Sequence, residues 1–412
     1  MRPHLSTLQN IYLSFYWFAS NVQWTALIII VVPREVLYLV GKNHSASVLS
    51  VLVIIGSLIA TVMQPWGGLI SDHVRHRWGR RRPYILLGTA GNIVGLLLMG
   101  YAMHDFWIFV AGYMLVQLSS NFAQAAYQAL IPDLVPDTQR GTAAGYMGFM
   151  TQFAIIFGAL LPRLLGNTTV YWAMAGFLVA GWAVTQCGVH EEDSRQGTLF
   201  PPTTPRIRDM WISPREYPDF WWVFGTRLLV MLGFATLENY LFYYLKFTAR
   251  INNPEGIVFN ILALLTLGSL VSVLAAGWLS DRLGKRKSLV VIGGSLMGLT
   301  ALVFAVTTNI TLILIMGVVF GFGYGIYLST DWALAVDVLP AGRLEGRSMG
   351  LWQASFNLAQ VGAGLIAGAL IAPLTQLSNL GIAYRILFIV TFLYFIVGSL
   401  FIQKVKNRSL VP

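Results

Sequence analysis

The sequence predicts an all-α membrane protein whose twelve transmembrane helices form two pseudo-symmetric bundles of six. Three observations carry this. The 412 residues are 56% hydrophobic and only 11% charged, too apolar over that length for a water-soluble domain. The chain holds twelve apolar stretches, each near the roughly 20 residues that a helix needs to cross hydrocarbon. A basic turn between the second and third stretches recurs, in register, between the eighth and ninth.

In order, the spans are expected at residues 9–32, 46–71, 84–103, 106–131, 142–165 and 169–188, then 220–245, 257–280, 288–307, 310–335, 347–372 and 382–402. Between the sixth and seventh the composition changes to HEEDSRQGTLFPPTTPRIRDMWISPRE, whose prolines and mixed charges mark a linker. The expected organisation is an N-terminal bundle over 1–189, a cytoplasmic linker over 190–218 and a C-terminal bundle over 219–408. Residues 409–412, ending Leu410-Val411-Pro412, read as a tag remnant. No cleavable signal is expected, because the first apolar segment is too long and lacks a small-residue cleavage site. An even number of spans puts both termini on one side. Most of the 27 Lys and Arg fall in turns on that side, which makes it cytoplasmic and places the chain as a multi-pass protein of the cell (inner) membrane. The net charge of +10 is therefore topological and implies no nucleic-acid partner. The single Cys187 excludes an internal disulfide and is read as helix packing.

The duplicated turn is GGLISDHVRHRWGRRRPY from Gly67 to Tyr84, echoed by Gly277-WLSDRLGKRK-Ser288. Both copies set a glycine four residues before an acid and follow it with a Gly-basic-basic triplet. The ends of helices 4 and 10 repeat as Ala129-LIPDLVP and Ala333-LAVDVLP, and Gly141 to Gly145 repeats as Gly346 to Gly350. Gly-x-x-x-Asp-Arg-x-Gly-Arg-Lys resembles the loop 2-3 signature of the major facilitator superfamily. The longer first copy, QPxxGxxSDxxxxRxGRRRPxI, is similar to plant sucrose carriers and their animal proton-sugar relatives, with glycoside-pentoside-hexuronide carriers more distant. The resemblance implies substrate binding near the midplane, between the halves, and transport by alternating access.

An acid just past a helix end can accept N–H bonds at the start of a neighbouring helix and pair with arginine. The resemblance implies that Asp72 caps helix 11 near Gly346 and Asp281 caps helix 5 near Gly141. Arg81 would pair with Asp133 and Arg286 with Asp337; Arg80 and Arg282 complete the expected gating set. Gly317, Gly321 and Gly325 on helix 10, and Gly364 and Gly368 on helix 11, make small-residue faces suited to sliding or to tight packing.

Charges inside spans are costly unless paired or hydrated, so each is a functional candidate. Asp331 lies in helix 10. Arg227 and Glu238 lie eleven residues apart in helix 7, on one face. Asp331 and Glu238 are the expected proton-coupling residues; the other reading is a structural ion pair with Arg385 or Arg227. In the sucrose carriers the helix 1 pattern VQxxWAL…P…LLGxxH is similar to Val22-Gln23-Trp24, Pro33 and the run to His44, which places His44 at their sugar-binding histidine. Their helix 4 proton acid and sugar-contacting arginine fall at Gln117 and Gln128, neither of which ionises. Coupling on helix 7 or 10, or uniport, follows.

Sugar recognition calls for neutral amides and flat apolar faces. The expected substrate-binding set is Gln23, Trp24, Asn121, Gln124, Gln128, Arg227, Asn239, Tyr327, Asp331, Gln353 and Asn357, with Gln360 a further amide. The expected function is a proton-coupled sugar (disaccharide or glycoside) symporter. The alternatives are a proton-driven drug or metabolite efflux antiporter and a sugar uniporter. The partners are a small-molecule substrate, protons and the lipid bilayer, and the working form is a monomer. The long loop has no metal-spaced histidines and no nucleotide-binding glycines, so neither a cofactor nor a metal nor an enzymatic activity is expected.

Overall fold

A computed structural model describes residues 4–73, 76–102, 105–136, 139–166, 168–188, 191, 213–283, 286–338, 345–377 and 379–405. The described residues are helical throughout the spans. The helices are α1 (Thr7–Ala26), α2 (Val32–His73), α3 (Arg82–Tyr101), α4 (Phe106–Leu134), α5 (Arg140–Leu164), α6 (Thr169–Gly188), α7 (Pro218–Tyr243), α8 (Pro254–Leu283), α9 (Arg286–Val306), α10 (Ile310–Val338), α11 (Glu345–Leu377) and α12 (Leu380–Phe401).

Among the described residues, eleven helical stretches are long and apolar enough to cross a membrane. The first of these, Thr7–Gln64, has 58 residues and is two spans. At 1.5 Å per residue it would be about 87 Å long, nearly three times the roughly 30 Å hydrocarbon core. It is interrupted at Gly41, whose φ of 74° is the left-handed region that glycine enters freely. Twelve spans result. The sequence expects the first span to end at residue 32 and the second to begin at residue 46. Instead the first helix continues to that glycine, because a π turn at Leu27–Val31 precedes Pro33 and accommodates the N–H that proline lacks. A matching π turn, Tyr244–Thr248, follows α7.

The chain divides into two compact units, Met1–Gly41 with Ile55–Thr203, and Lys42–Ile54 with Thr204–Pro412. In the first, α1 packs on α5 and α6, and α3 on α4. Its core holds Leu13, Tyr16, Ile85, Ala123, Tyr127 and Leu130. Hydrogen bonds tie these helices: Tyr16 to the Thr89 hydroxyl (2.9 Å), Trp17 Nε1 to Thr151 (2.7 Å) and the Tyr127 hydroxyl to the Leu13 carbonyl (2.7 Å).

In the second unit α10 packs on α8 and α9, and α12 on α7 and α9. The small-residue face of α10 meets α8 at backbone distance. A Cβ on Gly321 would lie 2.8 Å from the Leu265 carbonyl carbon, and one on Gly325 2.7 Å from the Ser269 carbonyl oxygen. Gly364 and Gly368 of α11 likewise admit the Ser50 turn of the Lys42–Ile54 stretch, whose Ser50 hydroxyl meets the Tyr240 hydroxyl at 2.7 Å.

Candidate functional site

The basic turn of the first unit folds around two carboxylates. Asp133, at the end of α4, accepts from Arg80 Nε (3.2 Å) and Nη2 and from Arg81 Nε (3.0 Å). Arg81 is almost fully buried and also donates to the Ser71 hydroxyl at 2.6 Å, tying the end of α2 to α4. The second carboxylate is Glu191, three residues past α6. It accepts the backbone N–H groups of Arg80 (3.0 Å), Arg81 (3.0 Å) and Arg82 (3.3 Å), which lead into the first residue of α3 and have no intrahelical acceptor. Arg82 answers by donating to the Gln186 carbonyl at 2.9 Å. Gly79 makes this possible with a φ of 95° and no Cβ, since the Glu191 side chain fills the space a Cβ would take. Burial pushes the Glu191 carboxyl above its ordinary value. The three backbone N–H bonds oppose that rise, and the Asp133 charge adds to it.

The expected gating pairs are thus only partly in view. The side chains of Asp72, Asp281, Arg282 and Asp337, and the surroundings of Gly141 and Gly346, lie outside the described residues. Arg286 begins α9 half-buried. Glu191 is not among the residues that the sequence singles out. Its signal is an acid run placed just after a span, which reads equally well as plain linker.

Along α4 of the first unit runs a column of neutral polar groups at four-residue spacing. Gln117 Nε2 donates to the Tyr113 hydroxyl (2.8 Å), and Asn121 Nδ2 donates to the Gln117 carbonyl (2.8 Å). Gln64 of α2 donates to Asn121 Oδ1 at 3.2 Å. Gly56 leaves room for the column, since its Cβ would stand 2.8 Å from the Tyr113 hydroxyl. Gln124 is half-buried and Gln128 exposed on the same helix; Trp24 is half-buried on α1. Gln23 is fully buried, and its amide forms a reciprocal pair with Asn92 of α3, 2.8 Å in each direction. That arrangement clasps α1 to α3. His44 is exposed in the second unit.

In the second unit α7 and α10 meet as an antiparallel ladder. Arg227 of α7 forms an ion pair with Asp331 of α10, with only 8% and 3% of the residues exposed. Seven residues on along α7 and seven back along α10, Phe234 stacks on Tyr324 at 4.8 Å. Phe320 extends the stack, 6.3 Å from Tyr324, toward the level of Glu238. Helical period puts 227, 234 and 238 on one face of α7, and 320, 324, 327 and 331 on one face of α10. The buried Tyr327 hydroxyl lies beside Asp331. Glu238 accepts from Gln360 Nε2 of α11 at 3.3 Å, and Gln360 Oε1 accepts from Asn239 at 3.0 Å. Among the described residues no cation stands within ion-pair distance of Glu238. Of the two expected acids, then, Asp331 has an arginine partner and Glu238 an amide. Arg385 is half-buried in α12, as is Asn357 in α11; the Gln353 side chain is outside the described residues.

A family model for the Major Facilitator Superfamily matches residues 13–344 and 255–410. The chain belongs to that superfamily. It is a multi-pass membrane transporter. Its major facilitator fold is shared with solved transporters at low sequence identity. The nucleoside transporter NupG superposes with a TM-score of 0.75 at 11% identity, over 97% of this chain and 100% of that one. A bacterial homologue of the human lysosomal transporter Spinster gives 0.74 at 12% identity, over 97% of each. Among curated relatives, the sucrose transport protein SUT1 of Oryza sativa is 32% identical over 124 residues, 25% of this chain and 23% of that protein. The general alpha-glucoside permease of Schizosaccharomyces pombe is 30% identical over 131 residues, 28% and 24% respectively. The chain thus spans about a quarter of the length of these relatives. An uncharacterised protein of Mycobacterium bovis matches more widely, at 24% identity over 80% of this chain and 79% of that protein.

Proposed function

We propose that this transporter carries a neutral sugar, a disaccharide or glycoside, together with protons by alternating access. The observation that carries the coupling is the environment of Glu238. A carboxyl inside a span whose partner is an amide can gain or lose a proton without breaking an ion pair. Asp331 cannot, because it is held in a buried ion pair with Arg227 that its protonation would break. Glu238 is therefore the proton carrier. The Arg227–Asp331 pair, with Tyr327, is a fixed polar anchor for the substrate. The neutral column on α4 supports the sugar reading, since Gln117, Asn121 and Gln64 offer donors and acceptors in pairs, as hydroxyl groups require. Sequence kinship to sucrose and alpha-glucoside carriers supports it too. Asn121, Gln124, Gln128, Trp24, Asn239 and Asn357 remain in the proposed binding set. Gln23 is left out, its amide being engaged with Asn92. The Arg80–Arg81–Asp133 cluster is assigned a gating role on the cytoplasmic side, with both termini on that side and the protein in the cell membrane as a monomer.

The test is uptake into proteoliposomes that contain a pH-sensitive dye. Labelled sucrose or maltose added outside should enter with acidification of the interior. Glu238→Gln should abolish the acidification and keep the exchange of internal for external sugar. Sugar entry at unchanged internal pH in the wild type would make the protein a uniporter. No entry of either sugar would remove the sugar assignment.

A further inference from the structure

The hydrogen-bond chain at Glu238 has a direction, and this extends the proton-coupling proposal, on which it rests. Asn239 donates one Nδ2–H to the Ala235 carbonyl at 2.8 Å. A backbone carbonyl only accepts, so that bond fixes which way the Asn239 amide points. The other Nδ2–H goes across to Gln360 Oε1 on α11 at 3.0 Å. With its oxygen turned to Asn239, Gln360 has only its NH₂ left for Glu238, and Nε2 donates to Oε2 at 3.3 Å. Donors therefore run one way, from the α7 backbone through two amides to one oxygen of the acid.

The geometry points to Gln360 as a positioning residue for proton coupling: it holds Oε2 as a permanent acceptor and leaves Oε1 as the oxygen that takes and releases the proton. Protonation then forms one O–H bond at Oε1, neutralises the carboxylate and breaks nothing in the chain. A proton on Oε2 would make that oxygen a hydroxyl, a poorer acceptor for the Gln360 N–H, and one placed on the lone pair that Gln360 occupies would clash with that N–H. Relieving that clash means turning the Gln360 amide over, which sets its NH₂ against that of Asn239, which must in turn leave Ala235. The three bonds of the chain would be lost in sequence. The other groups near the acid do not compete for Oε2. Tyr324 of α10 lies within electrostatic reach of Glu238, Arg227 and Asp331, and Arg227 is eleven residues back along α7 in its own ion pair.

The test reads the carboxyl directly, in the full chain reconstituted in lipid vesicles with no sugar present. Difference infrared spectra are collected through a pH titration, and the C=O stretch of protonated Glu238 is assigned by its loss in Glu238→Gln. In the wild type Oε2 is the carbonyl oxygen and accepts a hydrogen bond, so removing the donor in Gln360→Met should move the band to higher frequency. Asn239→Ala, which frees the Gln360 amide to turn over, should split the band in two and serves if the first variant fails to fold. A band that stays in place or moves down in Gln360→Met, or stays single in Asn239→Ala, overturns the proposal while leaving Glu238 as proton carrier. Absence of any titrating band removed by Glu238→Gln overturns both. The expected shift with no sucrose or maltose uptake upholds the proposal and sinks only the sugar assignment.

Discussion

Replacing Gly79 by alanine places a methyl group inside the Glu191 side chain. The new Cβ would stand 2.6 Å from Glu191 Cβ and 2.5 Å from Cδ, closer than such atoms approach. The backbone there has φ 95°, outside what an L side chain tolerates, at a cost of about 1–3 kcal/mol. Glu191 must also move, and it releases the N–H groups of Arg80, Arg81 and Arg82; hydrogen bonds to a charged group are worth about 1.5–3 kcal/mol, and losses at one carboxylate do not add. Together these give about 3–5 kcal/mol of destabilisation for Gly79→Ala. A double-mutant cycle separates the two terms. In a Glu191→Gly background, which also removes the Cβ at 191, the methyl group meets no side chain, so only the backbone term of about 1–3 kcal/mol remains, and the coupling energy is about 1.5–3 kcal/mol. The assay is denaturant unfolding in detergent micelles followed by far-ultraviolet circular dichroism. Equal costs in both backgrounds would refute the argument that Gly79 is there to admit Glu191.

Glu191 also sets a pH dependence. Its folded value is raised, so over a window starting at the ordinary 4.5 the folded protein holds a proton that the unfolded chain has released. Stability therefore falls as pH rises from 4.5 until the raised folded value is passed, and is level above it. Glu191→Gln should flatten that part of the stability profile measured by thermal unfolding. Asp331→Asn breaks the buried ion pair with Arg227 and should cost about 3–5 kcal/mol, most of it recovered in the Arg227→Met, Asp331→Asn double variant; a double variant as unstable as the single one would count against the pairing. Gln23→Leu leaves the Asn92 amide unsatisfied, a loss of about 1–3 kcal/mol, and should leave the apparent KM for sucrose unchanged. A raised KM with unaltered unfolding would return Gln23 to the binding site.

Length and apolarity are local properties, which is why fold class and span order are legible in the sequence alone. Twelve apolar stretches, the repeated basic turn and the repeated Ala-Leu-x-x-Asp ends of helices 4 and 10 are enough to expect paired six-helix bundles. The candidate acids are legible for the same reason: a charge inside hydrocarbon is rare, so Asp331, Arg227 and Glu238 stand out by placement alone. The first connection is not legible, because a polar run reads as a loop, whereas the π turn before Pro33 carries the helix on to Gly41.

Partnership is decided only by tertiary structure. Sequence leaves Asp331 and Glu238 open to Arg227 or Arg385. The antiparallel register of α7 and α10 gives Arg227 to Asp331, and α11 brings the Gln360 amide to Glu238. In sequence Gln23 and Asn121 are both intramembrane amides. One is closed into a pair with Asn92 from 69 positions away, and the other joins a polar column with Gln64. Glu191 looks like linker and stands at the start of α3, more than a hundred positions back along the chain. A side chain's chemistry is written in its own residue, whereas its hydrogen-bond partner depends on how helices distant in sequence pack. The same amide or carboxylate therefore becomes a clasp, a cap or one half of an ion pair according to what the fold sets against it.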